Sequence, residues 1–325
     1  MKAIHIAASF AATICAATSA ALSAAAHVYP ERPLRFVIPF PPGGGADNLA
    51  RLVAIPAGEK LGQQIVIDNR AGAGGNIAAE VVAKAAPDGY TLLQANVAHA
   101  ISTSLYSKLP YDLLKDFIAV TQLASVPFVL AVNPATGAQS VKELIALAKS
   151  KPGQLNYASS GAGGPSHLAM ELFKSMAGAE IRHIPYKGAV PAATDLLAGR
   201  VDTSFFTVSA VLPYTSGGRL KALGLASARR SPLVPDLPTV GEAGLPGFEA
   251  TTWFGVMVPR GTPAPVVGRL HTTFVAALNT PGVRERLSNQ GFDVVGSSPA
   301  EFAGYVKSEI PKWAKVVKAS GATAD

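Results

Sequence analysis

The chain has 325 residues, of which 49% are hydrophobic and 15% charged. That is enough apolar material for two well-filled cores and excludes a disordered chain. The formal net charge of +7 comes from scattered bases, with no basic stripe carrying interleaved aromatics, so nucleic-acid binding is not expected.

The first 26 residues read as a cleaved secretory signal: Lys2, then an alanine-rich stretch over residues 3–21, then Ala24-Ala25-Ala26 before His27. The only cysteine, Cys15, lies inside that stretch and follows Ile14, where a lipoprotein processing site needs a small residue. Cleavage therefore leaves a cysteine-free chain without disulfides, thiolate metal sites or a cysteine nucleophile. No later segment reaches the roughly 18 uninterrupted apolar residues of a membrane span.

Strand-like and helix-like stretches then alternate. Strands are expected at residues 34–40, 64–69 and 90–95, with helices at 47–61, kinked by Pro56, and at 77–86. A strand at 128–132 precedes a helix opened by the capping box Ser140-Val141-Lys142-Glu143. Further strands are expected at 155–158, 180–184, 203–206 and 220–226. A proline-rich stretch at 231–246 leads to a strand at 252–258 and helices at 263–279, 281–290 and 299–318. The last helix carries Phe302, Val306, Ile310, Trp313 and Val317 as a core-facing stripe. Such alternation predicts two α/β units, each an open, mostly parallel sheet flanked by helices.

Three apolar runs end in glycine-rich turns that open into helices: RFVIPFPPGGGADNLA, QIVIDNRAGAGGNIAAE and LNYASSGAGGPSHLAME. A helix start exposes unpaired N–H groups and the positive end of the helix dipole, and glycines admit close approach. Each turn is a candidate carboxylate or phosphate cradle. Gly72-Ala73-Gly74-Gly75-Asn76-Ile77 superficially suggests a dinucleotide fingerprint, but Ile77 stands at the third glycine position and no acidic residue ends a following strand. Ser160 with His167 lacks the G-x-S-x-G elbow and an identifiable acid partner. The six histidines show no metal-ligand spacing. Neither an enzyme nor a cofactor is expected.

Segments including YPERPLRFVIPFPPGGGADNLAR, IVIDNRAGAGGNIAAE, NYASSGAGGPSHLAMELF, IPYKGAVPAATDLLAGRVD and WFGVMVPRGTPAPVV resemble the extracytoplasmic solute receptors of tripartite tricarboxylate transporters, the Bug-type receptors. The resemblance implies a type II periplasmic-binding-protein fold: two α/β domains joined by crossover strands, with the ligand between them. It implies domain 1 as residues 27–126 and 250–325, domain 2 as 127–249, and crossovers near 126–132 and 252–258. It also implies a periplasmic monomer that captures a small-molecule carboxylate and delivers it to the transporter's membrane subunits, or that signals through a sensor partner.

Carried onto this chain, the family's ligand loops are Pro42, Gly43, Gly44, Gly45 and Asp47, then Ala73, Gly74, Gly75 and Asn76, holding a carboxylate by backbone N–H groups. Domain 2 contributes Ser159, Ser160, Gly161, Gly164, His167, Tyr186, Lys187, Gly188 and Phe206, with Asn96 and His99 as further neighbours. Ser159 and Ser160 also suit helix capping. The family pattern often places an acidic or polar residue after the phenylalanine of the strand that here reads Thr203-Ser204-Phe205-Phe206-Thr207. With alternation turning one phenylalanine to the cleft and the other to the core, an apolar or aromatic ligand body is expected.

Overall fold

The computed structural model describes residues 29–186 and 188–323; the expected leader, residues 1–26, and Lys187 lie outside them. The first unit alternates β1 (Leu34–Ile38), α1 (Gly45–Leu61), β2 (Ile65–Asn69), α2 (Asn76–Ala83), β3 (Thr91–Asn96) and α3 (Val97–Leu105). β1 lies between β2 and β3 and is parallel to both. Because helices cover its two faces, LRFVI is buried nearly throughout instead of alternating.

After β4 (Phe117–Val132) and α4 (Val141–Ser150), a second unit follows: β5 (Asn156–Ser159), α5 (Pro165–Ala177), β6 (Arg182–Pro185), α6 (Ala189–Leu197), β7 (Thr203–Thr207) and α7 (Val208–Thr215). Here β5 is the parallel centre, between β6 and β7. The chain closes with β8 (Lys221–Leu225), β9 (Thr251–Pro259), α8 (Ala264–Leu278), α9 (Pro281–Asn289), β10 (Asp293–Val294) and α10 (Pro299–Ser320).

The two parallel units, called lobe I and lobe II below, meet through antiparallel strands in the order β2-β1-β3-β9-β4-β7-β5-β6. β4 does the joining. Its residues 117–127 pair with β9, and residues 128–132 pair with β7. The sequence predicts only the second part of this strand. Pro127, the residue that obscures the first part, is the last to pair with β9; Phe128 is the first to pair with β7. A proline is tolerated where a strand changes partners and a ladder N–H is dispensable.

The largest core cluster is continuous across both lobes. It includes Val97, Ile101 and Leu105 of α3, Leu168 and Phe173 of α5, and Val306, Trp313 and Val317 of α10. The last helix packs against α3, β4 and α5, so the C-terminal segment belongs to both lobes. Its N-terminus is fixed by a capping box between Ser298 and Glu301. Trp313 is core, as its stripe predicts. Its indole and that of Trp253 both donate to Glu309 Oε2, at 2.9 and 3.1 Å, and Lys312 reaches the other carboxylate oxygen at 2.9 Å.

Candidate functional site

The first glycine turn lies between β1 and α1. Gly44 is the N-cap residue with φ −79° and ψ 171°, and no side chain caps the helix. Asp47, in the first helical turn, is only 2% exposed. One of its oxygens accepts the Gly43 N–H at 2.9 Å and Arg51 Nε at 2.8 Å; the other accepts Asn69 Nδ2 at 3.0 Å. Burial alone raises this carboxyl, but the bonds from Arg51, Gly43 and Asn69 outweigh it and hold it below the ordinary carboxylate range. Asp47 therefore folds the turn from inside, with its charge compensated by Arg51.

The second turn lies between β2 and α2, as a single 3-10 turn over Ala73–Gly75. Ala73 holds φ 46°, the one positive φ at a non-glycine among the described residues, which is local strain of the kind that accumulates at binding sites. Gly75 caps α2 with φ 100° and no side-chain cap. A Cβ there would stand 3.0 Å from Pro39 Cβ and 3.2 Å from His99 Nε2. Only glycine fits, and the contact sets the second turn against Pro39, the residue that follows β1.

Asn96 and His99 organise this place from below. They form a reciprocal capping box at the start of α3, a helix not expected from the sequence. His99 Nδ1 accepts the Asn96 N–H at 3.1 Å, so Nε2 carries the proton and donates to Gly75 O at 3.3 Å. Complete burial pushes the His99 imidazole down to about 4, against the pull of those two bonds. His99 is a support of the second turn.

Among the described residues, three buried polar atoms here have no hydrogen-bond partner: Asn76 Nδ2, Gln94 Oε1 and Asn96 Nδ2. Each belongs to a side chain otherwise engaged. Asn76 Oδ1 accepts Tyr111 OH at 2.6 Å, Gln94 Nε2 donates to Ala46 O at 2.9 Å, and Asn96 Oδ1 accepts the Ala98 N–H at 2.8 Å. Such atoms are rare in folded proteins and call for a ligand or water. Gln94 was not singled out from the sequence, although a lone glutamine in TLLQAN is the signal for it.

In lobe II, Ser159 ends β5 and Ser160 follows it. Ser159 is fully buried, and its Oγ meets His183 Nε2 at 2.7 Å and Gly161 O at 3.1 Å. Ser160 binds Ser166 through N–H and Oγ, both at 3.0 Å. Gly163 N–H donates to His167 Nδ1 at 2.9 Å. Gly164 is the N-cap of α5, and Gly188, with φ 120°, that of α6; neither helix has a side-chain cap. Tyr186 OH donates to Asp195 at 2.7 Å; burial and the bond to Asp195 push the phenol up to about 12. Lys187, a further candidate, lies outside the described residues.

Phe206 is a correction. It is 4% exposed and packs with Val129, Ala131, Ala158 and Leu196 on one face of the lobe II sheet. Phe205 is 1% exposed and stacks on Phe248 on the other. Alternation holds, but a sheet covered on both faces sends both rings into core. The support for an aromatic ligand body falls with it.

The remaining candidates stand at the carboxyl ends of parallel strands, where α/β sheets bind ligands. The lobes touch beside the lobe II candidates, since a Cβ on Gly163 of lobe II would lie 2.4 Å from Leu105 Cδ2 of lobe I.

A family model described as "Tripartite tricarboxylate transporter family receptor" matches residues 49–322. Protein BugT of Bordetella pertussis is 41% identical over 299 residues, covering 91% of this chain and 92% of that protein. Among solved structures, R. palustris Rpa4515 with adipate superposes with a TM-score of 0.81 at 40% identity, covering 91% of this chain and 99% of that one. MatC (Rpa3494) from Rhodopseudomonas palustris with bound malate gives 0.78 at 36% identity, covering 89% and 100%. The expected two-domain binding-protein fold is thereby found, and the relatives are binding proteins, not enzymes. The chain belongs to the tripartite tricarboxylate transporter receptor family.

Proposed function

We propose that this receptor captures a small organic carboxylate between its lobes and hands it to the membrane subunits of a tripartite tricarboxylate transporter. The observation that carries the reading is that α1 and α2 both open at glycine turns following the paired parallel strands β1 and β2, and neither N-terminus is capped by a side chain. Their N–H groups and dipoles supply an anion site without a cationic side chain. Asn76 Nδ2 and Asn96 Nδ2, buried donors without a partner among the described residues, are side chains suited to ligand or bridging water. The N-termini of α5 and α6 cover the ligand from lobe II.

In this reading residues 27–126 and 250–325 form one domain and 127–249 the other, with β4 and β9 as the crossovers. The protein works in the periplasm as a monomer after removal of residues 1–26; the described residues include no helix long and apolar enough to cross a membrane. Adipate and malate, bound by the two structural neighbours, are the first ligands to try.

The test is a thermal-shift screen of aliphatic, hydroxylated and aromatic carboxylates, followed by calorimetry, on protein freed of co-purified ligand by unfolding and refolding. Saturable one-to-one binding of a carboxylate is the expected result. A refolded protein that binds none of them, yet binds an amine or a neutral sugar, refutes the reading.

A further inference from the structure

We propose that His167 is a positioning residue for ligand binding: its neutral Nδ1 holds the loop of residues 159–164 in register with α5, and protonation of that nitrogen releases the loop. This rests on the reading of that loop as the lobe II part of the carboxylate site.

His167 is 7% exposed and lies in the first turn of α5, with Nδ1 accepting the Gly163 N–H at 2.9 Å. An acceptor at Nδ1 leaves the proton of the neutral ring on Nε2. The next proton must go to Nδ1, where it turns an acceptor into a donor facing another donor, and the bond to Gly163 is lost. Gly163 is also the residue against which Leu105 of lobe I is seated. Releasing it alters both the lobe II cradle and the inter-lobe contact.

The surroundings favour the neutral ring. His167 stacks on His183 with centroids 4.0 Å apart and planes within 6°, and Tyr157 stacks on His183 at 4.7 Å. The parallel register of β5 and β6 sets Tyr157 opposite His183 and produces this stack. Two imidazolium rings at that separation repel, so at most one of the pair takes a proton readily. On α5 itself, Glu171 Oε1 lies 3.9 Å from His167 Nε2, but it is already engaged by Tyr157 OH at 2.5 Å and Lys174 Nζ at 2.6 Å. Lys174 opposes the charge, and Glu180 lines the recess beside Glu171 and Lys174. Burial is the leading cause that lowers both imidazoles, His183 to about 4.

Asn at 167 keeps an acceptor near the Nδ1 position and does not titrate; Leu removes the acceptor. The first arm follows the Gly163 amide by NMR in ligand-free protein between about pH 7.5 and about pH 4.5, with far-UV circular dichroism checking the fold. Loss of its protection on acidification in wild type, together with His167 titration, and retention in His167→Asn is the expected result. Equal behaviour in the two proteins overturns the proposal.

The second arm measures adipate affinity over the same range in wild type, His167→Asn and His167→Leu. Wild type is expected to lose at least about tenfold more affinity on acidification than His167→Asn, and His167→Leu to bind more weakly than His167→Asn at neutral pH. Matching slopes mean that only adipate itself is being protonated, and the proposal fails. If adipate binds to none of them, the carboxylate reading fails for this ligand, and the amide arm alone decides the role of His167.

Discussion

Leu105, the last residue of α3, seats against Gly163, whose φ is +70° and whose missing Cβ leaves room for the leucine Cδ2 at 2.4 Å. The contact joins lobe I to the loop of residues 159–164 in lobe II. Gly163→Val is therefore expected to hold the lobes apart. Small-angle scattering should show it more extended than wild type at saturating ligand, with affinity lower by about tenfold or more. Adding Leu105→Ala should restore part of the compaction. A variant as compact and as tight-binding as wild type removes the contact from the closed state.

Gly44 offers a cleaner test of the cradle. Its φ of −79° suits any residue, and a Cβ there would meet only Pro41 O at 3.9 Å. Gly44→Val should fold, with a melting temperature lowered by no more than a few degrees because valine is a poorer N-cap than glycine. Charge-assisted hydrogen bonds contribute about 1.5–3 kcal/mol each, so blocking one approach should weaken the carboxylate about tenfold to a hundredfold by calorimetry.

Glu309 joins two indoles and is 2% exposed. Glu309→Ala leaves two buried N–H donors unpaired and opens a cavity where α10 crosses β9. A loss of about 3–5 kcal/mol in urea unfolding is expected, with a smaller loss for Glu309→Gln, which keeps an acceptor. Ligand affinity of the folded fraction should be unchanged.

Phe206, buried in core, should report on stability and not on ligand choice. Phe206→Ala is expected to cost about 3–5 kcal/mol in stability, with the order of preference among carboxylates preserved. A changed preference in a stable variant returns the ring to the cleft.

Acid should destabilise the receptor through its neutral histidines. His99, held down at about 4 by burial, titrates near 6.5 when unfolded. Between those values the unfolded chain binds a proton that the native state refuses, so stability is full above about pH 6.5 and falls as pH drops toward 4. His99→Gln should flatten part of that slope in urea unfolding measured across the range; an unaltered slope assigns the acid sensitivity elsewhere.

The glycine turns were legible because an apolar run, a glycine cluster and a helical period follow one another within a few residues, as in VIPFPPGGGADNLA. The order of parallel strands and following helices was legible for the same reason. What failed was non-local. α3 was missed because its signal is the pair Asn96 and His99, a capping box without the usual acidic partner. The first part of β4 was missed because Pro127 marks a change of pairing partner, which only the fold defines. Phe206 was misplaced because alternation was counted without knowing that both faces of β7 are covered. His183 escaped notice because β5 and β6 register alone brings it beside Ser159, 24 residues away.

The central claim is that backbone N–H groups at the α1 and α2 N-termini hold the carboxylate. Amide chemical shifts in isotope-labelled protein, recorded as the carboxylate that scores in the thermal screen is titrated in, test it most directly. The account predicts that the largest shifts fall on residues 44–47 and 73–76, with residues 160–164 shifting alongside as lobe II closes. Saturation of the protein with those lobe I amides unmoved would contradict it.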